Sequence, residues 1–127
     1  MPIVRSADRP ALDRGPGLPT LQRLVDRDNG SDAVTVLVNE FRRDETVPEH
    51  THETEEVLVV VAGACVVTVA DQQSAVERGD AVIVPPGTPH AIHGSGGPCT
   101  VVAVLGSPDA PVPTPGVTAA RTAGTGR

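Results

Sequence analysis

Hydrophobic residues fall along this chain in short runs rich in valine, separated by clusters of Gly, Pro, Asp and Asn, and no stretch sustains a helical period. Residues 20–25 read as a first strand, the dense cluster 26–32 as a turn, and residues 33–41 as a β-branched strand. Residues 57–61 and 65–70 flank Ala62, Gly63 and Ala64, a spacing that predicts a hairpin. A turn at 71–73, a short strand at 74–76 and a second turn at 77–80 follow. Residues 81–84 make a strand that stops at Pro85 and Pro86, residues 90–93 begin the next, the run 94–98 breaks it, and residues 100–105 close the set. About eight short strands with this punctuation predict an all-β, antiparallel sandwich or barrel.

Alternation along residues 56–61 changes the picture. One face carries Glu56, Leu58 and Val60, and the other carries Val57, Val59 and Val61, so both are apolar. A strand with one face in water shows polar residues on that side. The pattern therefore predicts a second layer or another subunit over it. Residues 1–19 carry four prolines and scattered charge and read as a flexible arm, and residues 107–127 are mostly Pro, Thr, Ala and Gly with only Val112 and Val117 as β-branched aliphatics. Such a tail buries too little apolar surface to offset its ordering entropy and is expected to be disordered. The barrel is assigned to residues 20–106.

Composition mainly excludes. A net charge of -6 without a clustered basic face argues against nucleic acid. No apolar run approaches a membrane span and the first residues lack a signal-peptide core, so a cytoplasmic location is expected. The chain has no Lys, Trp or Tyr and a single aromatic, Phe41. Lysine Schiff-base chemistry, tyrosine proton transfer and aromatic stacking on a flat substrate are thereby removed. An all-arginine basic set with abundant Ala, Val, Gly and Pro fits a high-GC bacterial genome. Cys65 and Cys99 lie in or beside strand-like runs and read as buried packing residues.

What chemistry remains concentrates in two places. His50, His52, Thr54 and Glu56 share a parity and would project from one face of an extended segment, and His90 follows a Pro-Pro-Gly-Thr-Pro turn. Three imidazoles and a carboxylate make a mixed N/O site suited to one divalent transition metal; Fe(II) is favoured, and Mn, Ni, Zn, Co and Cu also fit. All-oxygen Ca and Mg shells fit poorly. The spacing H-x-H-x3-E-x6-G from His50 to Gly63, and G-x5-P-x-G-x2-H from Gly79 to His90, resembles the two motifs of the cupin superfamily over roughly residues 34–105. Two positions depart: the first motif's opening Gly is Asp44, and the second motif's closing Asn is Gly94. Neither is a metal ligand in the family.

That resemblance implies an antiparallel double-stranded β-helix, the jelly-roll cupin barrel, with His50, His52, Glu56 and His90 as ligands. It also implies a wide menu of activities: dioxygenases, isomerases and epimerases, lyases and decarboxylases, polyketide cyclases, and non-enzymatic small-molecule or metal binders. Fold does not choose among these. The resemblance also implies a homodimer, the common state of small single-domain cupins. The favoured reading is a metal-dependent oxygenase acting on a small organic substrate. Non-redox isomerase, cyclase or lyase chemistry of secondary metabolism is the alternative, and a binding module the third. Weaker catalytic candidates surround the ligands. Glu49 and Glu55 have the odd parity of surface carboxylates, Thr54 is the inward hydroxyl, and His93 has the opposite parity to His90. Arg42 and Arg43 precede the first motif, where a substrate carboxylate would be clamped, although solvated loop arginines are the commoner case.

Overall fold

The computed structural model describes residues 2–111 and contains seven strands: β1 (Thr20–Val25), β2 (Thr35–Phe41), β3 (Thr46–His50), β4 (Glu56–Val69), β5 (Gln72–Glu77), β6 (Ala81–Val84) and β7 (His90–Leu105). The only helical segments among these residues are 3-10 turns at Ser6–Asp8 and Arg27–Asn29. All pairings between strands are antiparallel. No helix among the described residues is long and apolar enough to cross a membrane.

Two strands are much longer than their sequence pattern announced. β4 is continuous through Gly63, and β7 through Gly94, Gly96 and Pro98, where a hairpin turn and a strand break were expected. They pair along their whole lengths, from Glu56↔Leu105 to Val69↔His90, with bulges between Val60 and Ala62 and between Gly63 and Cys65. The chain reverses only at Ala70, in the left-handed region at φ 53°. Either side of the bulges the ladder acquires different neighbours. The halves near Leu58 and Ala103 join β6 on one flank and β2 with β1 on the other, and the halves near Val67 and Ile92 join β5 and β3. Two sheets thus share one bent ladder, which is the jelly-roll arrangement.

Glycine makes the bend possible. Gly63 sits at φ 74°, and a Cβ there would collide with the Pro98 carbonyl oxygen. Gly94 is closed off in the same way by the Arg43 carbonyl, while its N–H donates to the Glu45 carbonyl at 2.8 Å. Extra residues at a bulge bend a strand and increase its twist without ending it. The glycines read from sequence as breakers therefore act as hinges inside strands.

Between the sheets lies one core that includes Leu21, Leu37, Phe41, Leu58, Val60, Val67, Val84, Ile92, Val101 and Leu105. Full burial of a Leu or Val side chain contributes about 1.5–3 kcal/mol. Cys65 and Cys99 are free and buried in this core, and burial pushes the Cys65 thiol up to about 12, so both serve as packing residues.

The segments flanking the barrel make specific contacts. Leu12 bridges Leu21 through two backbone hydrogen bonds, and Arg9 donates from Nε to the Arg23 carbonyl at 2.8 Å. Ser107–Ala110, expected as the start of a disordered tail, is held by side chains of the sheet. Thr35 Oγ1 donates to the Ser107 carbonyl at 2.7 Å, Arg23 donates to the Ala110 carbonyl at 2.9 Å, and Arg27 grips Asp109 with bonds of 2.7 and 2.8 Å. The rest of the tail, residues 112–127, lies outside the described residues. Hydrophobic pattern alone hides this docking, because backbone carbonyls do the anchoring.

Asp26 joins both segments. It is buried, with one oxygen 2.6 Å from Arg23 Nε and 2.9 Å from Arg9 Nη2. Its side chain and that of Asn29 also close a capping box around the 3-10 turn. Burial alone would raise the Asp26 pKa, but the two guanidiniums outweigh it and hold the carboxyl below its ordinary 3.8. A depressed folded-state pKa means the contribution is complete above the ordinary value and is lost as pH falls through the folded value. Asp26→Asn is expected to cost at least about 2 kcal/mol at neutral pH, since it leaves two partly buried arginines without their carboxylate. Urea melts of both proteins at neutral pH and near pH 3 should show the gap narrowing in acid. A separate comparison tests the hinge. Gly63→Ala should cost at least about 2 kcal/mol more than Gly79→Ala, because both glycines have positive φ but only Gly63 has backbone in the way.

Candidate metal centre

His50 ends β3, His52 lies in the loop after it, Glu56 opens β4 and His90 opens β7. The expectation of a single extended segment from His50 to Glu56 does not hold. Residues 51–55 form a loop, so the fold brings these residues together for a reason other than strand parity. What brings them together is register. His50 pairs with His90 across β3 and β7, Val69 pairs with His90 on its other side, and Glu56 lies between Val84 and Leu105. The His52 carbonyl accepts from Gly87 N–H at 2.8 Å, which ties the histidine loop to the proline turn before His90.

One ligand-type atom from each of the four side chains falls within 4.8 Å of the others. The imidazole centroids are 4.7 Å apart for His50 and His52, 4.3 Å for His50 and His90, and 5.4 Å for His52 and His90. His90 Nε2 is 2.6 Å from Glu56 Oε1, and His52 Nε2 is 3.9 Å from the same oxygen. Despite that proximity, Glu56 Oε1 and His90 Nε2 are fully buried and neither makes an aligned hydrogen bond. Buried polar atoms without partners are costly and rare, and atoms that share a common space without bonding each other are what an ion between them would satisfy.

The outer nitrogens fix the rings. His50 Nδ1 is 2.7 Å from the Pro48 carbonyl, and His90 Nδ1 is 2.9 Å from the Thr88 carbonyl. A carbonyl only accepts, so each Nδ1 carries the proton and each Nε2 presents a lone pair inward. Electrostatics agree with ligand duty at His50, His52 and Glu56, and in the metal-free protein oppose it at His90. Burial pushes the His50 pKa down to about 4 and lowers that of His52, which keeps both neutral near pH 7. At His90, burial is outweighed by Glu56, and its pKa rises. Burial would raise the Glu56 pKa, but the surrounding histidines lower it, so the carboxylate stays ionised. Neutral imidazole and ionised carboxylate are the forms that bind metal.

The family profile for the cupin domain matches residues 38–105. This chain belongs to the cupin family. The polyketide cyclase RemF from Streptomyces resistomycificus is similar over 93% of this chain and 87% of its own, with 26% identity and a TM-score of 0.74. KdgF from a Halomonas species matches 83% of this cupin and 91% of its own chain at 21% identity and a TM-score of 0.71. Oxalate decarboxylase from Bacillus subtilis, described with Mn(II) centres, matches 86% of this chain but 30% of its own, at 19% identity and a TM-score of 0.75. No curated protein sequence matches the chain.

The weaker candidates fall apart from the ligand cluster. His93 pairs with Thr46 and Val66 and is absent from the group of converging donors, and Glu49 is exposed. Arg42 bonds Glu45 through Nε at 3.2 Å, and Glu45 also accepts the backbone N–H groups of Arg42 and Arg43, so this loop is organised around its own carboxylate. Thr54 is better placed. It is half-buried and lines a cavity of about 510 Å³ with Thr51, His52, Glu53, Gly87 and residues of the 107–111 segment. Neither Glu53 nor the 107–111 wall was singled out by the sequence pattern, because loop parity and a proline-rich tail give no signal for a lining role.

We propose His50, His52, Glu56 and His90 as the ligands of one divalent transition-metal ion. Single alanine replacements of these four should each lower metal retained after dialysis by at least about tenfold, in line with losing a direct ligand. His93→Ala should retain the metal content of the parent protein. Elemental analysis of the purified variants makes the comparison, and full occupancy in His52→Ala would remove that residue from the set.

Proposed function

We propose that this cupin is a metal-dependent enzyme that acts on a small organic molecule through an enolisable or chelating oxygen function, by non-redox cyclisation, isomerisation or lyase chemistry. The observation that carries the reading is the convergence of three imidazoles and one carboxylate beside a cavity lined by hydroxyls and a carboxylate. A divalent ion bound there would supply Lewis acidity that polarises a substrate oxygen. Two surrounding groups would do the rest. Thr54 would offer a hydroxyl to substrate oxygens, and exposed Glu53 on the same wall would accept a proton. The absence of Lys and Tyr leaves a carboxylate as the natural base. Likeness to a polyketide cyclase over nearly the whole chain supports this class.

Oxygenation at Fe(II), the reading favoured from the sequence, rests on the same four side chains, since mixed N/O shells accept redox and non-redox metals. The substrate class and atmosphere separate the two. Metal-free protein reloaded with Zn(II), Mn(II) or Fe(II) is incubated with simple β-dicarbonyl compounds in deuterated buffer, under nitrogen and under air. Metal-dependent deuterium exchange at the enolisable carbon is expected in both atmospheres with Zn(II) or Mn(II), and Glu53→Gln should slow it by about 10- to 1000-fold while leaving metal content unchanged. Turnover that requires both Fe(II) and dioxygen would replace this reading with an oxygenase.

A further inference from the structure

We infer that Asn39 is a specificity-determining residue of the barrel interior: its amide holds the far oxygen of an elongated, neutral substrate whose chelating end lies at the candidate metal centre. This role builds on the metal-dependent chemistry proposed above and narrows its substrate to a class. Asn39 alternates with Leu37 and Phe41 on the inward face of β2, and its partners across the sheet are Leu21 and Val101. All four of those neighbours belong to the core. A buried amide in such a row costs free energy unless nearby donors and acceptors replace water. The other buried polar residues of the described chain meet that condition or belong to the centre. Asp26 has its two arginines, Thr35 has the Ser107 carbonyl, and Glu56 and His90 lie in the ligand cluster. Asn39, only 6% exposed, has no side-chain hydrogen bond among the described residues.

The amide also borders open space. Unlike Glu56 Oε1 and His90 Nε2, its atoms are not fully enclosed. On the inward face of β2, Leu37 and Asn39 each keep 6% of their surface accessible, against 0% for Thr35 and 2% for Phe41. The space therefore lies against the middle of the strand, within the fold of the ladder. Its distance from the centre follows from register. Glu56 pairs with Leu105 and Asn39 with Val101, and Glu56 and Asn39 belong to strands on opposite sides of β7. A rise of about 3.4 Å per residue and a strand spacing of about 4.8 Å put the two backbones about 17 Å apart. Side chains projecting into one concave interior shorten this to on the order of 12 Å between amide and centre. Leu37, Leu58 and Ala103 form the row between them. An aliphatic path that ends in an amide fits a neutral molecule, because an unpaired charge there is costly, whereas an amide both donates to a carbonyl and accepts from a hydroxyl. Length narrows the class further. With a metal–oxygen bond of about 2 Å and a hydrogen bond of about 2.9 Å taken from that span, the substrate carries a second neutral oxygen roughly 7 Å beyond its chelating pair.

Two measurements on the full chain test this role, and the first needs neither metal nor substrate. Asn39→Leu keeps the branched shape of the side chain and removes its amide, and Asn39→Val repeats the change with a smaller side chain suited to a strand. Because the amide is unpaired in the free protein, the urea midpoint of the metal-free protein should rise by at least about 0.5 M in one or both variants. Midpoints at or below the parent's in both show that the amide serves the fold, and overturn the inference. The second measurement is calorimetric titration of the Zn(II)-loaded proteins with a β-diketone bearing a pentyl chain, and with the same compound hydroxylated at the end of that chain. The parent should bind the hydroxylated compound at least about 10-fold more tightly, the effect of one hydrogen bond to a buried group. Asn39→Leu should erase or reverse that preference with metal content unchanged. A parent that binds both compounds equally overturns the inference and leaves the metal chemistry standing, whereas binding of neither compound overturns both.

Discussion

Pairing of β4 with β7 along their full lengths fixes nearly everything else in this molecule, because the same two strands serve as central members of both sheets. A ladder of this length would twist into one open sheet unless something bent it. The bend comes from bulges around Gly63 and from the close approach of Pro98 to it. Once the ladder folds, Leu58, Val60 and Val101 on one half come to face the layer of Val67 and Ile92 on the other, and the core closes. Hydrophobic burial drives the closure, but the lack of a side chain at two positions permits it.

The candidate centre depends on that bend. Glu56 belongs to one sheet and His50 and His90 to the other, so their 2.6 Å approach of carboxylate to imidazole is available only where the two layers meet. Burial in such a position would normally neutralise both groups. Here the carboxylate holds His90 toward the charged form and the histidines hold Glu56 ionised, while His50 and His52, farther from the carboxylate's reach, are left neutral. Backbone carbonyls of Pro48 and Thr88 then decide which nitrogen of His50 and His90 faces inward. The rings are oriented by main-chain groups that side-chain identity cannot reveal.

This division explains what was legible in the sequence. The grouping of four metal-ligating side chains was readable because His, His, Glu and His stood at motif spacing with their glycine and proline turns in place, and strand positions such as 20–25 and 81–84 were readable from β-branched runs. Strand continuity was not. Gly63 and the glycines at 94, 96 and 97 carry the same local signal whether they end a strand or bend it, and only the partner strand decides between these outcomes. Gly94 adds a further lesson. It stands where the family motif has Asn, and its N–H bonds Glu45 while its missing side chain admits the Arg43 carbonyl. The departure from the motif is accommodated in the loop that leads to β3. The docked residues 107–110 escaped notice for a different reason, since three arginine and threonine donors hold them through carbonyls and one carboxylate.

Those donors connect the scaffold to the cavity. Arg23 bonds both Asp26 and the Ala110 carbonyl, and Arg27 holds Asp109, so the wall facing His52 and Thr54 hangs on a charge network centred outside the barrel. The ligands, by contrast, are set by the ladder register and by carbonyls within the β3 and β7 entrances. Two independent sets of interactions thus shape one site. Substitution in the 107–111 segment or its arginine anchors alters the room beside His52 without moving a ligand atom, whereas a change in the ladder moves every ligand at once. A fold organised this way can keep one metal geometry while the adjoining cavity is rebuilt, which is a physical basis for the variety of activities named among proteins of similar structure.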